Sequence, residues 1–490
     1  MIHDRTTALF LGLDLGTTNA KAAAYDGRGQ VVGVGTAGYP TLYPQPGWAE
    51  QRPADWVRAL TAATQQLLAA LGSRKQDLVA IGLSAHGPGV VLVDEQGQPL
   101  LETSPTWQDT RCLAQGQWLI DQVGLGWAGQ GMADNNFPPK LRWIIEHHPA
   151  VAQQARYALG VKDFLAHWLT GEFATEPTTT SGGATWWTPV FAACEWPVER
   201  LPAIVPSTSV VGEVRPGVAA ALGLPAALPV VMGINDGASA TLSMGATQPG
   251  DMVLTLATAG VIRTVLATPL DPQVRLAHNL FYWPYVNDQW IAGGQLKAAA
   301  SALEWFARSH KEATIETLLV EAEQSSPGSS GVCFVPYLMG RGSPAPNPAA
   351  TGAFLGLTLN TPRGDLVRAV LEGVAYEFRT LLDALVALGH PCHDLRMSGG
   401  GTRSPLWRQI LAAVLARPVT HYVADSTLGA AIMAAVGSGY YDTLAVAVAQ
   451  MVHDSDTTVA PPDQVAHYGA AYEGYARWRE QLYSRPDTRY

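Results

Sequence analysis

A single carboxylate follows a buried-looking apolar run in the stretch VVMGINDGASATLSMGA, residues 230–246. The run rises to Gly233, and Asp236 then stands between Asn235 and Gly237, with small residues after it. Asn-Asp-Gly is ordinary turn chemistry, which favours a simple turn. A lone acid with little bulk around it could instead be a general base in a tight cleft. The stretch by itself leaves both interpretations open.

A second group of chemically useful residues lies near the N-terminus, in DLGTTNAK, residues 14–21. An apolar strand ends here at Asp14, and Gly16, Thr17 and Thr18 follow. The backbone N–H groups and hydroxyls of such a turn suit phosphate oxygens, and the carboxylate could hold Mg²⁺ through water. A plain hairpin turn is the alternative, since neither a Walker P-loop nor a GxGxxG motif is present.

A comparable turn occurs in the second half of the chain, in TLATAG, residues 255–260. Thr258 and Gly260 could hold phosphate from the opposite side. Taken alone, this motif fits an ordinary small-residue turn equally well.

A run of three glycines precedes a predicted helix in MSGGGTRSPLWRQILAAVLARP, residues 397–418. Ser404 suits the N-cap position and Pro405 the first helical position. Glycines such as Gly400 and Gly401 permit close approach of a flat ring or a ribose to the backbone, although they also suit a tight turn.

The composition of the chain excludes several classes of protein. Of 490 residues, 47% are hydrophobic and 15% charged, which predicts large cores and little disorder. The net charge of −10 and the lack of a long basic run disfavour a nucleic-acid partner or an anionic membrane surface. The four cysteines are far apart and form no CxxC pair, so neither a zinc site nor a disulfide scaffold is predicted. With no signal peptide and no apolar run of membrane-spanning length, a soluble cytoplasmic protein is expected.

The elements that would position these residues form two halves that begin alike. In the first half we predict a hairpin over residues 20–37, a helix over 53–71 and a strand that ends near Ser84. The second half opens with strand, small-residue turn and strand from residue 250 onward. We therefore place a domain boundary between residues 247 and 248 and predict two α/β lobes around a central cleft.

Two helices are predicted in the second half from their apolar stripes. GQLKAAASALEWFA, residues 294–307, places Leu296, Ala299, Leu303 and Phe306 on one face. GDLVRAVLEGVAYEFRTLLDALVAL, residues 364–388, has a longer stripe of the same period. Both stripes are expected to be core.

Taken together and in order, these segments resemble the FGGY family of carbohydrate kinases, in the sugar kinase/Hsp70/actin superfamily. GLDLGTTNAK is similar to the family's first phosphate motif, and IGLSAHG and TWQDTR resemble its sugar-side segments. GINDGASATLSMGA resembles the segment with the catalytic aspartate, GAFLGLTLNTPRGDLVRAVLEG a family signature, and SGGGTRSPLWRQILAAVLARPV the adenosine-binding segment. Nearly the whole chain is covered, and the motifs are most similar to those of xylulose kinases.

The resemblance implies two actin/Hsp70/sugar-kinase-like (ribonuclease-H-like) lobes, with residues 1–247 on the sugar and phosphate side and 248–490 on the adenosine side. It implies that Asp236 is the catalytic base and that Asp14 organises Mg²⁺. The implied sugar-binding residues are Ala85, His86, Trp107 and Asp109. The implied ATP-binding residues are Asp14, Gly16, Thr17, Thr18, Thr258, Gly260, Gly294, Gly400, Gly401 and Ser404.

The implied reaction is ATP-dependent phosphorylation of a sugar primary hydroxyl, with D-xylulose the first expectation and ATP and Mg²⁺ as cofactors. D-Ribulose, gluconate or another polyol remains an alternative, because Ala85 stands where the xylulose kinase motif has a longer side chain. A degenerate nucleotide-binding protein is a second alternative, since Ala257 and Ala259 replace the glycine and serine of the usual phosphate turn. The expected partners are a small-molecule sugar and ATP, and a homodimer is one expectation for the assembly.

Overall fold

The computed structural model describes residues 7–124, 136–180, 185–310, 313–423 and 425–483. Its first segment begins with three antiparallel strands, of which the second and third form the hairpin that the Asp-Gly turn predicts, and continues into a helix that starts at a proline. The elements of this segment are β1 (Leu9–Leu15), β2 (Asn19–Asp26), β3 (Val31–Gly38), β4 (Glu50–Gln51), α1 (Pro53–Leu71), β5 (Leu78–Ala85), β6 (Val91–Val93), β7 (Ser104–Pro105) and α2 (Leu113–Val123).

The next segments are richer in short helices and end on the strand that leads to Asp236. They contain α3 (Phe137–His147), α4 (Pro149–Gln154), β8 (Tyr157–Leu159), α5 (Val161–Thr170), β9 (Ala174–Thr175), α6 (Pro177–Thr180), α7 (Thr188–Ala193), β10 (Ala203–Ile204), β11 (Val210–Glu213), α8 (Pro216–Leu222), β12 (Pro229–Asn235) and α9 (Asp236–Leu242).

The remainder of the chain repeats the strand–turn–strand opening and then alternates helices with strands. It contains β13 (Asp251–Leu256), β14 (Gly260–Leu266), α10 (Pro272–Ala277), β15 (Phe281–Pro284), β16 (Trp290–Leu296), α11 (Ala300–Ser309), α12 (Ile315–Gln324), β17 (Cys333–Val335), β18 (Ala353–Leu355), α13 (Arg363–Ala387), β19 (Asp394–Ser398), α14 (Pro405–Leu415), β20 (Val419–Tyr422), α15 (Ser426–Gly437), α16 (Leu444–Met451), β21 (Asp454–Thr458) and α17 (Pro462–Tyr483).

Each half is built on one large mixed sheet. The first has the strand order β11-β12-β5-β1-β2-β3, in which β12, β5 and β1 are mutually parallel. The second has the order β15-β16-β14-β13-β19-β20-β21, in which β13, β19 and β20 are parallel. In both, an antiparallel hairpin continues from the first parallel strand, so the two lobes share one plan. The α/β class with two lobes that the sequence predicts is confirmed.

Of the two helices predicted in the second half, one begins later than expected. The helix predicted from residue 294 begins at Ala300, because residues up to Leu296 pair with β14 as strand β16. The apolar stripe was therefore shared between a strand and a helix. The long helix α13 is present, with Val370, Val374 and Phe378 buried as expected.

One helix crosses between the two halves. Helix α15 comes from the second half, yet it packs on strands β1 and β5 of the first sheet. A Cβ on Gly12 would lie 1.9 Å from the Thr427 carbonyl oxygen, and one on Gly82 would lie 1.9 Å from that of Ala430. Two neighbouring glycines thus form the groove in which the helix lies, and they bring the lobes into direct contact. Among the helices of the described residues, none is long and apolar enough to cross a membrane.

Candidate active site

The carboxyl ends of three adjacent parallel strands meet at one edge of the first sheet. Asp14 of β1 is opposite Ser84 of β5, and Ala85 is opposite Asn235 of β12. His86 and Asp236 directly follow those last two strand residues. In open α/β sheets, ligands bind at such an edge. Three motifs that are far apart in the sequence therefore form one site.

Asp236 is the first residue of helix α9, and a backbone hydrogen bond orients its carboxylate. Its Oδ1 accepts the Gly237 backbone N–H at 2.7 Å. Burial raises the pKa of Asp236 to about 6, although that hydrogen bond and the positive charge of Arg263 lower it in part. A carboxylate with a pKa near the working pH is well suited to accept a proton.

A buried hydrogen-bond network reaches the backbone of Asn235, the residue before Asp236. Lys162 Nζ lies 3.1 Å from Glu176 Oε1, and both side chains are buried. The Thr178 hydroxyl donates to Glu176 Oε1 at 2.6 Å and accepts the Asn235 backbone N–H at 2.8 Å. Because Asn235 immediately precedes Asp236, this network fixes the backbone on which the carboxylate is mounted.

Asp14 is a second carboxylate whose charge is unfavourable without a cation. Its Oδ1 accepts the Ser84 hydroxyl at 2.6 Å. Burial, followed by repulsion from Asp236, raises the pKa of Asp14 to about 8. Lys21, the neighbour that would offset this charge, also forms an ion pair with Asp425. A divalent cation bound through this one carboxylate, water and phosphate oxygens would relieve the repulsion, and such sparse protein ligation is typical of Mg²⁺. Among the described residues, no cluster of three or more His, Cys, Asp or Glu side chains forms a complete metal cage.

A cavity of about 320 Å³ lies above Asp236, between the two lobes. Of the four residues predicted to bind sugar, Ala85, His86 and Trp107 line it, as does Asp236. The other lining residues are Gly87, Pro88, Gly89, Asn136, Phe137, Gly160, Val161, Lys162, Thr178, Thr179, Asn235, Gly237, Val261, Arg263, Phe281, Tyr282, Trp283 and Gln295. This volume suits a small polar metabolite.

His86 faces the cavity with both ring nitrogens buried and without a hydrogen-bond partner among the described residues. Burial lowers the pKa of His86 to about 4, so the ring is neutral at physiological pH. A neutral imidazole offers one donor and one acceptor, and buried polar groups of this kind are normally satisfied. His86 is therefore equipped to bind hydroxyl groups of a ligand.

Trp107 connects the cavity to the first phosphate-type turn. Its Nε1 donates to Thr17 Oγ1 at 2.9 Å. In the same turn the Gly16 N–H donates to the Asn19 carbonyl at 3.0 Å, while Thr18 is exposed. The turn predicted to hold phosphate and the loop predicted to hold sugar are thus neighbours.

Asp109 is placed differently from the other predicted sugar ligands. It is fully buried, and its carboxylate accepts Arg111 Nε at 2.8 Å, Arg111 Nη2 at 2.5 Å and the Ala49 backbone N–H at 2.7 Å. The Arg111 guanidinium lies 3.5 Å from the ring centroid of Trp48. Asp109 is not among the residues that line the cavity, and its acceptor capacity is used in this ion pair.

The second phosphate-type turn has one exposed and one buried member. Thr258 is exposed, and its carbonyl accepts the Ala299 N–H at 3.0 Å and the Ser301 hydroxyl at 2.8 Å. Gly260 is buried, where a Cβ would lie 2.6 Å from the ring of Phe378. The turn is therefore anchored on the start of helix α11, and Thr258 remains accessible to a ligand.

The glycine segment after β19 lies next to that turn. Thr255 of β13 is opposite Ser398 of β19, so both strands end together. Gly400 is exposed, and an added Cβ there would meet nothing within 4 Å. Gly401 packs on Leu256, where a Cβ would lie 2.5 Å from Cγ. Ser404 caps helix α14, since its Oγ accepts the Trp407 N–H at 3.3 Å.

Gly294 does not reach this surface. It is buried within β16, and a Cβ there would lie 2.6 Å from both Leu381 Cδ1 and Ser343 Cβ. The need for a glycine is explained by packing of the sheet against helix α13, so Gly294 leaves the set of residues that we propose for the nucleotide.

Part of the cavity wall was missed from the sequence. Val261, Arg263, Phe281, Trp283 and Gln295 line it from the second half, which the sequence assigned to the adenosine side. The Arg263 Nε atom and the Trp283 Nε1 atom are buried without hydrogen-bond partners among the described residues. The one signal in the sequence was a lone arginine inside the apolar strand GVIRTVL.

The fold and this site define a two-lobed sugar kinase, and comparison with known proteins agrees. Residues 9–243 match the model of the FGGY family of carbohydrate kinases, N-terminal domain, and residues 252–438 match its C-terminal domain. The chain therefore belongs to the FGGY family and is a carbohydrate kinase, a phosphotransferase.

Within the family, the chain is similar to xylulose kinases and gluconokinases. A xylulose kinase of Escherichia coli (strain K12) is 30% identical over 489 residues, 97% of this chain and 99% of that protein. A gluconokinase of Bacillus licheniformis is 26% identical, with 90% of each chain covered. The crystal structure of xylulose kinase from Rhodospirillum rubrum superposes with a TM-score of 0.86 at 31% identity, covering 97% of this chain and 99% of that one.

Proposed function

We propose that the protein transfers the γ-phosphoryl group of ATP to the terminal primary hydroxyl of D-xylulose, forming D-xylulose 5-phosphate. The observation that carries this proposal is the Asp236 carboxylate, whose pKa is raised by burial to about 6, on the wall of the inter-lobe cavity that His86 and Trp107 also line. Phosphoryl transfer to an alcohol needs an acceptor for the hydroxyl proton near the attacking oxygen.

In this proposal Asp236 accepts that proton while His86 holds sugar hydroxyls. A neutral His86 with two unpartnered nitrogens favours a polyhydroxylated ligand over an apolar one. Trp107 closes the cavity beside the first phosphate turn, and Ala85 leaves room next to the sugar. Asp109 acts through Arg111 and the shape of its loop, not by touching the sugar.

The nucleotide is proposed to lie along the two turns and the glycine segment. Gly16, Thr17 and Thr18 would hold phosphate from one lobe and Thr258, on the turn that ends at Gly260, from the other. Asp14 would hold Mg²⁺, which supplies charge neutralisation at the phosphates when bound. Adenosine would lie on the open surface at Gly400 and Gly401, near the helix that Ser404 caps. We also propose that the lobes divide near residue 247, and the homodimer remains a prediction.

The choice of D-xylulose is supported by xylulose kinase relatives at 30–32% identity. Gluconate is the second candidate, because gluconokinases are also related and two cationic side chains, Lys162 and Arg263, line the cavity. Lys162 is neutralised by Glu176, which leaves Arg263 as the side chain that would favour an aldonate.

A coupled ADP-release assay over D-xylulose, D-ribulose, gluconate and a set of polyols tests the proposal. We expect the highest kcat/KM for D-xylulose. Activity on gluconate or D-ribulose with none above the no-sugar background on D-xylulose would overturn the substrate and keep the kinase. ADP binding with no transfer to any sugar would instead support the degenerate protein.

A further inference from the structure

Arg263 is a cavity residue for which the proposed function has no role. It belongs to strand β14, in the lobe opposite Asp236, and it lines the cavity together with Val261. Residues two apart on a strand share a face, so both side chains point from the same wall of the cleft.

The Arg263 side chain extends back toward the second phosphate turn. Arg263 is opposite Val253 in the β13–β14 hairpin, yet its Nη1 donates to Thr255 Oγ1 at 3.3 Å. Thr255 lies opposite Val261, two pairs closer to the turn that contains Thr258. The guanidinium is thus displaced from its own register position toward the end of the sheet where phosphate is expected.

Asp236 is the charged neighbour on the other side. Burial lowers the pKa of Arg263 and the negative charge of Asp236 offsets this only in part, yet a guanidinium stays protonated throughout the physiological range. The positive charge is therefore bonded to Thr255, near the second phosphate turn, and also interacts with the carboxylate that would receive the hydroxyl proton.

Part of the guanidinium is left without a partner. Arg263 Nε is buried and has no hydrogen-bond acceptor among the described residues. The Nη1 bond of 3.3 Å, to a neutral hydroxyl, is longer than the 2.7–2.9 Å that is typical when a guanidinium bonds an anionic oxygen. Buried charged donors are usually satisfied, so this arrangement favours an anionic group that arrives with the ligand.

We propose that Arg263 is a catalytic residue that binds the transferring phosphoryl group and stabilises the charge on its oxygens in the transition state. This inference rests on the proposed function, since in a sugar kinase that group passes from the phosphate turns to the hydroxyl at Asp236. Charge spreads over the equatorial oxygens during such a transfer, and a fixed guanidinium stabilises them more than it stabilises the ground state.

The test compares Arg263→Gln and Arg263→Lys with Arg308→Gln, which removes an exposed arginine of the same lobe. With the sugar that the wild type accepts, we expect Arg263→Gln to lower kcat by about 10²-fold or more, while the KM values of sugar and ATP change by less than about threefold. Arg263→Lys keeps the positive charge but lacks the planar guanidinium and its paired N–H donors, so its kcat should lie between those of the wild type and Arg263→Gln. Arg308→Gln should match the wild type.

If Arg263→Gln raises only the KM of the sugar and leaves kcat unchanged, the proposal is overturned and Arg263 is a substrate-recognition residue. This conclusion would be strongest if the KM rose for gluconate alone. A kcat within about threefold of the wild type would also overturn it. Thermal unfolding of each variant shows whether the fold is kept, and Arg263→Lys carries the test if Arg263→Gln does not fold.

A second readout does not depend on the identity of the sugar. Calorimetry measures the affinity for Mg-ADP with and without aluminium fluoride, which mimics the transferring phosphoryl group. Arg263→Gln should bind Mg-ADP alone as tightly as the wild type does. Aluminium fluoride should increase the affinity of the wild type but not that of Arg263→Gln. Equal tightening in both proteins, or none in either, would overturn the role of Arg263. If no sugar is phosphorylated, the proposed function fails alone, and this comparison still decides the inference.

Discussion

Replacement of Thr178 by valine should separate positioning of the catalytic carboxylate from its chemistry. The change keeps the shape of the side chain and removes only the hydroxyl. Two hydrogen bonds disappear, the 2.6 Å bond to Glu176 Oε1 and the 2.8 Å bond from the Asn235 backbone N–H. Asp236, the next residue, keeps its charge and its bond from Gly237.

The size of the effect follows from what each partner retains. Glu176 still accepts the Thr179 hydroxyl at 2.9 Å, the Ser207 hydroxyl at 3.0 Å and the charge of Lys162. The Asn235 N–H loses its acceptor, and an unpaired buried donor costs about 1–3 kcal/mol. A misplacement of about 1 Å at a reacting group can reduce the rate by about 10²-fold. We therefore expect kcat to fall about 10- to 100-fold, and the unfolding free energy by about 1–3 kcal/mol.

Steady-state kinetics and thermal unfolding of Thr178→Val measure both effects. Ser207→Ala is the matched control, because it also removes a hydroxyl from Glu176 but leaves the Asn235 N–H bonded. The KM for ATP should be unchanged in both variants. If Thr178→Val is destabilised yet turns over at the same rate as Ser207→Ala, the network serves stability alone and the positioning role is refuted.

The remaining predictions concern the two carboxylates. Asp236→Asn should lower kcat by at least about 10²-fold with Mg-ATP affinity kept, and near-normal turnover in a coupled assay would contradict the role of Asp236 as the base. Because the pKa of Asp236 is about 6 and the base must be ionised, kcat/KM for the sugar, measured at saturating Mg-ATP, should be flat above that pH and fall about tenfold for each pH unit below it. A pH-independent profile between pH 5 and 7 would argue against this assignment. Because the pKa of Asp14 is raised to about 8, Mg²⁺ competes with a proton, so the apparent affinity for Mg²⁺ should increase from pH 6 to pH 8. In Asp14→Ala, calorimetry should show weaker Mg-ATP binding and no increase of the Mg²⁺ affinity from pH 6 to pH 8. If this variant keeps both binding and turnover, Asp14 is only a turn residue.

Several features of this protein are determined by the sequence itself. The Asp-Gly turn at Asp26 and the flanking apolar runs specify the β2–β3 hairpin, and Pro53 together with an apolar stripe specifies helix α1. The order of the phosphate-type turns and the lone acid resembles that of FGGY carbohydrate kinases, and this resemblance implies a two-lobed kinase. These are local patterns, in which turn chemistry and the period of apolar residues are read over a few neighbours. They single out Asp236 and Asp14 as candidate site residues, whereas His86 is named only through the family resemblance.

Other features are decided only by the tertiary structure. Whether Asp109 faces a ligand or an ion pair depends on Arg111 and Trp48, which the fold brings together. Gly294 is explained by packing against Leu381, from a helix distant in the sequence. Arg263 becomes part of the cavity because its strand faces Asp236 across the cleft. Burial and charge proximity are sums over non-local neighbours, so the pKa values and the cavity wall emerge only when both sheets and helix α15 are in place.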